Sequence, residues 1–206
     1  MLAFLTGLGL ASAAGLNAYI PILVVGLLAR YGEVVVLPPE FAWMGNGWAI
    51  ALLGLLLAAE VVLDKVPLVD SVNDAVQTFI RPAAGGAVMA ASTAADRIDQ
   101  AIGTSTSLLA QQPWIGWLLG IGTALLVHGT KTAVRPVANL GTAGTAAPVL
   151  STTEDVFSLG LSVVAILAPL LGVILVVVLL AVAVRLLVRA RRRRGRQGRT
   201  WAVRWR

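Results

Sequence analysis

The chain of 206 residues contains no cysteine, so it has no disulfide bond, no thiolate metal site and no thiol nucleophile. Its single histidine, His128, is in neither a His-x-x-x-His nor a Glu-x-x-His spacing, so the sequence predicts no metal site. It also has no Walker-type glycine loop and no G-x-S-x-G motif, which argues against ATP-driven pumping and serine hydrolysis. We predict no cofactor.

Charge is also scarce, at 13% of residues against about a quarter in ordinary soluble domains. In its place the chain has continuous apolar runs, and residues 173–184 carry no polar side chain. Continuous runs predict membrane helices, because a membrane β-barrel needs alternating residues. The sequence therefore predicts an all-α polytopic membrane protein with a membrane domain over residues 1–184. Five apolar blocks make up this domain: 1–29, 48–63, 114–127, 156–168 and 170–188.

Positive charge is concentrated at the carboxyl end, where residues 185–206 hold ten arginines and no acid. The rest of the chain has six basic and ten acidic residues, a net charge of −4. Basic residues next to a span mark its cytoplasmic end and attract anionic lipid headgroups. We predict a cytoplasmic tail on a protein of the inner or plasma membrane, with membrane lipid as a partner. A nucleic-acid partner is the less favoured interpretation of the tail.

One order of residues occurs twice along the chain. An apolar block and a lysine (Lys65, Lys131) are followed by an Arg-Pro pair (Arg81, Arg135), small residues, and then "STAAD" or "STTED". The pattern predicts two related halves, about residues 48–100 and 114–168, in the manner of an inverted repeat. Repeated segments interrupted by glycine and proline indicate a transporter binding site at the membrane midplane. Chance similarity is the alternative.

Two Ala/Gly-rich segments, residues 82–95 and 136–149, are predicted to be broken or re-entrant helices that enter the membrane. Pro82 and Pro136 would then occupy first helical turns, which places Arg81 and Arg135 at the entrances. The alternative is that such segments are helix-packing surfaces, like "GWLLG" at residues 116–120. Pro169 predicts a tight turn between two antiparallel helices.

Ionisable residues inside a membrane cost about 2.5–3.5 kcal/mol each on insertion scales, so they indicate function. Glu60 and Asp64 are one helical turn apart, which places both carboxylates on one face. The residues predicted to carry a coupling proton or cation are Glu60, Asp64, Glu154, Asp155 and His128. As alternatives, Asp64 would mark the membrane interface, Glu154 and Asp155 would lie in the first turn of a helix, and His128 would be a packing residue.

Arginine matches phosphate and carboxylate with two parallel hydrogen bonds, so the two Arg-Pro arginines are the predicted anion ligands. Asn17, in "AAGLNAYIP", is a polar residue at a predicted helix break, and Asn139 follows the second Arg-Pro. The predicted substrate-binding residues are therefore Arg81, Arg135, Asn17 and Asn139.

The phrases "DKVPLVDSVNDAVQTFIRPAAGG", "HGTKTAVRPVANL" and "STTEDVFSLGLSVVAILAP" together resemble a bacterial integral-membrane family catalogued as domain of unknown function 4126. The resemblance covers nearly the whole chain before the basic tail. It implies a small polytopic membrane protein and supplies no activity.

These features predict a membrane transporter or channel-like carrier for an anionic solute or a lipid phosphate headgroup, coupled to a proton or a cation. Two alternatives stay open: a non-transporting membrane scaffold, and an intramembrane enzyme acting on lipid through His128 or the carboxylates. We predict that the chain is not an enzyme. Small-residue surfaces favour a homodimer.

Overall fold

The computed structural model describes residues 1–32, 34–64, 67–101, 112–140 and 146–202. Every regular element within these ranges is a helix, which confirms the predicted all-α class. In chain order the elements are α1 (Leu2–Leu16), α2 (Tyr19–Tyr31), a 3-10 helix (Pro39–Gly45), α3 (Gly47–Leu63), α4 (Pro67–Ala101), α5 (Pro113–Leu140), α6 (Ala146–Leu167) and α7 (Pro169–Ala202).

Helix α1 lies at the centre of the bundle and packs against α4, α5, α6 and α7. Its second half consists almost entirely of small residues, and Ala11, Ala13 and Ala14 have no exposed surface. Small side chains allow four neighbouring helices to approach one axis closely. Composition thus explains how a helix of only 15 residues can pack against four others.

The first apolar block is divided at Asn17, as predicted. Asn17 has an extended backbone conformation (φ −143°, ψ 125°), so it cannot continue α1. Its side-chain oxygen accepts hydrogen bonds from the backbone N–H groups of Tyr19 (3.0 Å) and Ile20 (3.2 Å). These bonds satisfy donors that a helix start otherwise leaves unpaired, so the asparagine both ends α1 and begins α2.

Helices α4 and α5 approach each other most closely where both carry glycine. A Cβ atom added to Gly85 would lie 2.5 Å from Ala124 Cβ, and one added to Gly120 would overlap the Gly85 carbonyl group. Only hydrogen fits at these two positions. The packing interpretation of "GWLLG" is therefore confirmed for this contact.

The exterior of the bundle is apolar, as expected of a protein whose solvent is lipid. Leu55, Leu118 and Leu167 are each more than half exposed, whereas the charged residues Glu60 and Arg81 are buried. Helices α6 and α7 contain the candidate membrane spans Pro148–Leu167 and Pro169–Arg189. The 3-10 helix and α3 are bent by 60° relative to each other and count as a third candidate if the pair forms one span. The protein is an all-α membrane protein.

The break at Pro169 separates α6 from α7, and Gly172 packs against Ala165 across it. Leu161 and Val176, at similar distances on either side of the break, belong to one buried cluster, as in an antiparallel pair. Helix α7 then continues to Ala202. Its 34 residues extend about 51 Å, longer than a hydrocarbon core of about 30 Å, so the basic segment prolongs the last span as helix.

The predicted position of the Arg-Pro pairs at the entrances of re-entrant segments is wrong. Pro82 lies in the interior of α4, and residues 82–95 are a buried part of that continuous helix. Pro136 likewise lies within α5, which ends at Leu140. In the second Ala/Gly-rich segment, 136–149, residues 141–145 lie outside the described ranges. Packing against α1 and α5 compensates for the missing proline N–H of α4.

Candidate functional site

The bundle encloses a group of polar side chains that we call the polar cluster. All are less than a tenth exposed except Asn73, Thr78, Glu154 and Asp155, which lie at its edges. Helices α3, α4, α5 and α6 and the break between α1 and α2 all contribute. The cluster consists of Asn17, Glu60, Asp64, Asn73, Gln77, Thr78, Arg81, His128, Lys131, Ser151, Glu154 and Asp155.

Helical spacing explains why these residues meet. Asn73, Gln77 and Arg81 follow one another at intervals of four along α4, and such residues share one helix face. Glu60 and Asp64 have the same spacing at the end of α3. α3 and α4 therefore each turn a polar stripe inward.

Arg81 is the centre of the cluster and has no exposed surface. Its Nη2 atom donates to Glu60 Oε1 at 3.0 Å, and Glu60 is only 2% exposed. Its Nη1 atom donates to His128 Nδ1 at 3.2 Å. The structure therefore brings Arg81 and Glu60, two of the predicted residues, into direct contact.

The contact with Arg81 fixes the protonation of His128. A guanidinium group can only donate, so His128 Nδ1 must accept and its proton must be on Nε2. The Nε2–H group then donates to Thr78 Oγ1, at 3.1 Å. His128 is thus held as the neutral ring, and a second proton on Nδ1 would break its bond to Arg81.

Three buried polar atoms around Arg81 have no hydrogen-bond partner among the described residues: Arg81 Nε, Glu60 Oε2 and Gln77 Oε1. An unpaired buried polar atom costs about 1–3 kcal/mol, and more if charged. These atoms offer one donor and two acceptors to a water molecule, an ion or a polar ligand.

A second ion pair joins Lys131 and Glu154, with Nζ 2.7 Å from Oε2. Lys131 Nζ also lies 3.4 Å from the carbonyl oxygen of Leu16, at the end of α1. The last carbonyls of a helix lack partners within it, so a lysine there is favourable. The lysine of the second Arg-Pro phrase therefore joins Glu154 to the end of α1.

The two remaining carboxylates are held by neutral donors. Asp64 accepts from Asn73 Nδ2 at 2.6 Å and from Ser151 Oγ at 3.3 Å, which ties the end of α3 to α4 and α6. Asp155 accepts from Asn17 Nδ2 at 2.9 Å. Asn17 therefore serves the site and the helix break together. Asp64 is buried and bonded on two sides, so it is part of the cluster.

Seven predicted residues thus come together: Asn17, Glu60, Asp64, Arg81, His128, Glu154 and Asp155. Glu154 and Asp155 lie within α6, which begins at Ala146, so the alternative that they open a helix is wrong. Arg135 and Asn139 lie in the last turns of α5, and their side chains are outside the described part of the structure.

Sequence reasoning missed Lys131, Gln77, Asn73, Thr78 and Ser151 as members of the site. The intervals His128 to Lys131 and Gln77 to Arg81, one helical turn each, were the signal that could have found two of them. Within the described ranges no group of three His, Cys, Asp or Glu side chains is gathered in a way that could hold a metal ion.

Comparison with known families and proteins gives one match. The model of the family described as "Domain of unknown function (DUF4126)" matches residues 4–189. Neither a curated protein nor a solved structure matches the chain. The match extends from α1 through the last span and includes every residue of the polar cluster. The chain belongs to the DUF4126 family.

Proposed function

We propose that the protein is a membrane carrier in which an anion and Glu60 compete for Arg81. The observation that supports this most directly is the buried Glu60–Arg81 pair with unpaired polar atoms on both partners. A structural ion pair normally satisfies its remaining donors and acceptors, because each unpaired one costs free energy. Unpaired atoms on both sides instead fit a site whose partners change.

The competition gives a coupling mechanism. When Glu60 is ionised it occupies Arg81, and a proton on Glu60 removes the negative charge that holds the pair together. Arg81 then offers its donors to a phosphate or carboxylate group, with which guanidinium forms two parallel hydrogen bonds. Proton and anion would thus bind together, which is the requirement for coupled movement.

Helix α3 is the element best suited to move. In its span only Ala49 and Glu60 are buried, and its exposed leucines face outward. It packs mainly on α2 and makes fewer contacts with the 3-10 helix and with α4. The carboxyl-terminal end of α3 is attached to the bundle mainly through the polar contacts of Glu60 and Asp64. Loss of the Glu60–Arg81 bond would therefore free that end and open a path to Arg81.

A scaffold is the second candidate, because Arg81 with Glu60 and Lys131 with Glu154 also fit a purely structural role. Removing one member of a buried pair destabilises by about 3–5 kcal/mol, whereas replacing both members is often nearly neutral. The double variant Glu60→Gln with Arg81→Gln is therefore expected to fold. A scaffold would work normally with this double variant, and a carrier would not.

Proteoliposomes test the proposal. We would measure uptake of radioactive inorganic phosphate together with luminal pH, and separately the exchange of a fluorescent phospholipid between leaflets. The wild type is expected to move one of these two probes. If that probe is phosphate, its uptake should acidify the lumen. Glu60→Gln should abolish the dependence on a pH gradient, and the double variant should abolish movement altogether.

Glu40→Gln is the matched control, because Glu40 is an exposed acid on the 3-10 helix, away from the cluster. It should leave movement of either probe unchanged. If the wild type moves neither probe above protein-free liposomes, or if the folded double variant moves it as fast as wild type, the carrier proposal is overturned.

The cellular setting belongs to the same proposal: the inner or plasma membrane, with the basic end of α7 in the cytoplasm and in contact with anionic headgroups. The homodimer, the repeat relation between the halves and the absence of enzyme activity stay predictions.

A further inference from the structure

The bundle contains a cavity that Arg81 does not line. A cavity of about 350 Å³ is enclosed by α1, α5, α6 and α7. Its lining is almost wholly apolar, and its charged residues are Lys131 and Glu154. Cavities of roughly 300–1,000 Å³ with apolar walls and a few polar groups are typical of small-molecule sites.

The cavity lies at membrane depth, because two of its walls are the candidate spans in α6 and α7. Phe157 and Val182 stand at its edge and are 48% and 49% exposed. In a membrane these side chains contact hydrocarbon, so the cavity communicates with the lipid tails. Whatever fills it must therefore be largely apolar and must come from the bilayer.

One end of the cavity is polar. Leu161 and Val176 line its deep part near the α6–α7 turn, whereas Lys131, Glu154 and Ala183 line the other end. Beyond that end α7 carries the exposed residues Arg185 and Arg189. These arginines follow Val182 by three and seven residues, so they continue the same stripe of the helix past the cavity.

We propose that this cavity binds one acyl chain of an anionic phospholipid, with the phosphate group at Arg185 and Arg189, beyond the Lys131–Glu154 pair that lines the polar end of the cavity. The apolar walls match the chain, and the cations match the phosphate. A zwitterionic lipid would place its own positive charge near the same arginines, so anionic lipids are selected. The site is separate from Arg81 and stands whether or not the protein transports an anion.

The test is retention of lipid by the purified full-length chain. The delipidated protein is incubated with equal amounts of palmitoyl-oleoyl phosphatidylglycerol and the matching phosphatidylcholine, and bound lipid is measured by native mass spectrometry. The wild type is expected to retain one phosphatidylglycerol in preference to phosphatidylcholine. Equal retention of the two lipids would overturn the proposal.

Two alanines of α7 provide a matched pair. Ala183 lines the cavity, and Ala181 is exposed and outside it. Ala183→Phe should reduce retained phosphatidylglycerol by about tenfold, and Ala181→Phe should not. If a folded Ala183→Phe variant retains as much lipid as wild type, the cavity is not the site. Should Ala183→Phe fail to fold, Leu180→Trp in the cavity with Leu175→Trp outside it gives the same comparison.

The headgroup is tested by the exposed arginines. Replacing Arg185 and Arg189 together by glutamine should remove the preference for phosphatidylglycerol while a lipid is still retained. Arg30→Gln is the control, because Arg30 is exposed and bonds to Gly45 near the 3-10 helix. An unchanged preference in the double arginine variant would overturn the assignment of the phosphate end.

Discussion

At the scale of single residues, the buried polar side chains do two jobs at once. Asn17 uses its oxygen to begin α2 and its amide group to bind Asp155, so fold and site depend on one side chain. Lys131 likewise binds Glu154 and the end of α1. A substitution here therefore changes helix ends and the cluster together.

The Asn17–Asp155 contact predicts an exchange experiment. Asn17→Ala removes the cap and leaves Asp155 without its amide donor, so the free energy of unfolding in detergent should fall by about 2–4 kcal/mol. Asn17→Asp retains a capping oxygen and brings two carboxylates together, and should also be strongly destabilised at neutral pH. Adding Asp155→Asn should recover most of that loss.

The measurement is reversible unfolding monitored by circular dichroism. A double exchange variant as unstable as Asn17→Asp alone would contradict the contact. Thr6→Ser, on α1 and away from the cluster, serves as the control and should change stability by no more than about 0.5 kcal/mol.

At the scale of the helix elements, the α4–α5 contact is set by the absence of side chains. Gly120→Ala places a methyl group on the Gly85 carbonyl, so the helices must separate, at a cost of about 1–3 kcal/mol. Gly122 lies two residues away with nothing within 4 Å of an added Cβ atom. Gly122→Ala should be neutral or stabilise by up to about 1 kcal/mol, because alanine favours helix.

Thermal unfolding of the two alanine variants in the same detergent checks this prediction. The expected order of melting temperature is Gly122→Ala at or above wild type, and Gly120→Ala clearly below it. If the two variants had the same melting temperature, the close approach of α4 and α5 would not hold in the protein.

At the scale of the whole molecule, the contacts give the two ends of the bundle. Asp64 at the end of α3 bonds to Ser151 near the start of α6, and the cavity joins that part of α6 to Ala183. The start of α3, with the 3-10 helix before it, lies at the opposite end. The basic extension of α7 and the 3-10 helix should thus be on opposite sides of the membrane.

Single-cysteine labelling tests this topology without background, because the chain has no cysteine. An impermeant maleimide applied to intact cells should label Glu40→Cys and leave Arg189→Cys unlabelled. Inverted membrane vesicles should give the reverse. Labelling of both positions from one side would contradict the arrangement and the proposed cytoplasmic tail.

Several features could be predicted because they depend on local chemistry. The apolar runs predict helices in lipid, since only internally bonded backbone is stable there. Asn17 and Pro169 predict breaks because of their own backbone preferences. Glu60 and Arg81 were predicted as site residues because charge inside a membrane needs a partner or a function.

Other features depended on packing between distant segments. Proline favours the first turn of a helix, so Pro82 predicted the start of a helix. In the structure the small residues that follow Pro82 pack against α1 and α5, and this packing keeps α4 continuous. The pairing of Lys131 with Glu154 depends on which face of α5 turns inward.

The sequence by itself therefore determined that the protein lies in lipid, that it is helical, and that the chain breaks at Asn17 and Pro169. These features follow from backbone hydrogen bonding and side-chain polarity over a few neighbouring residues. Only the tertiary structure decided which charges pair, that Arg81 is wholly buried in contact with Glu60 and His128, and that a cavity of about 350 Å³ lies between α1, α5, α6 and α7. Helical periodicity places polar residues on one face, and the relative rotation and depth of packed helices then select the partner.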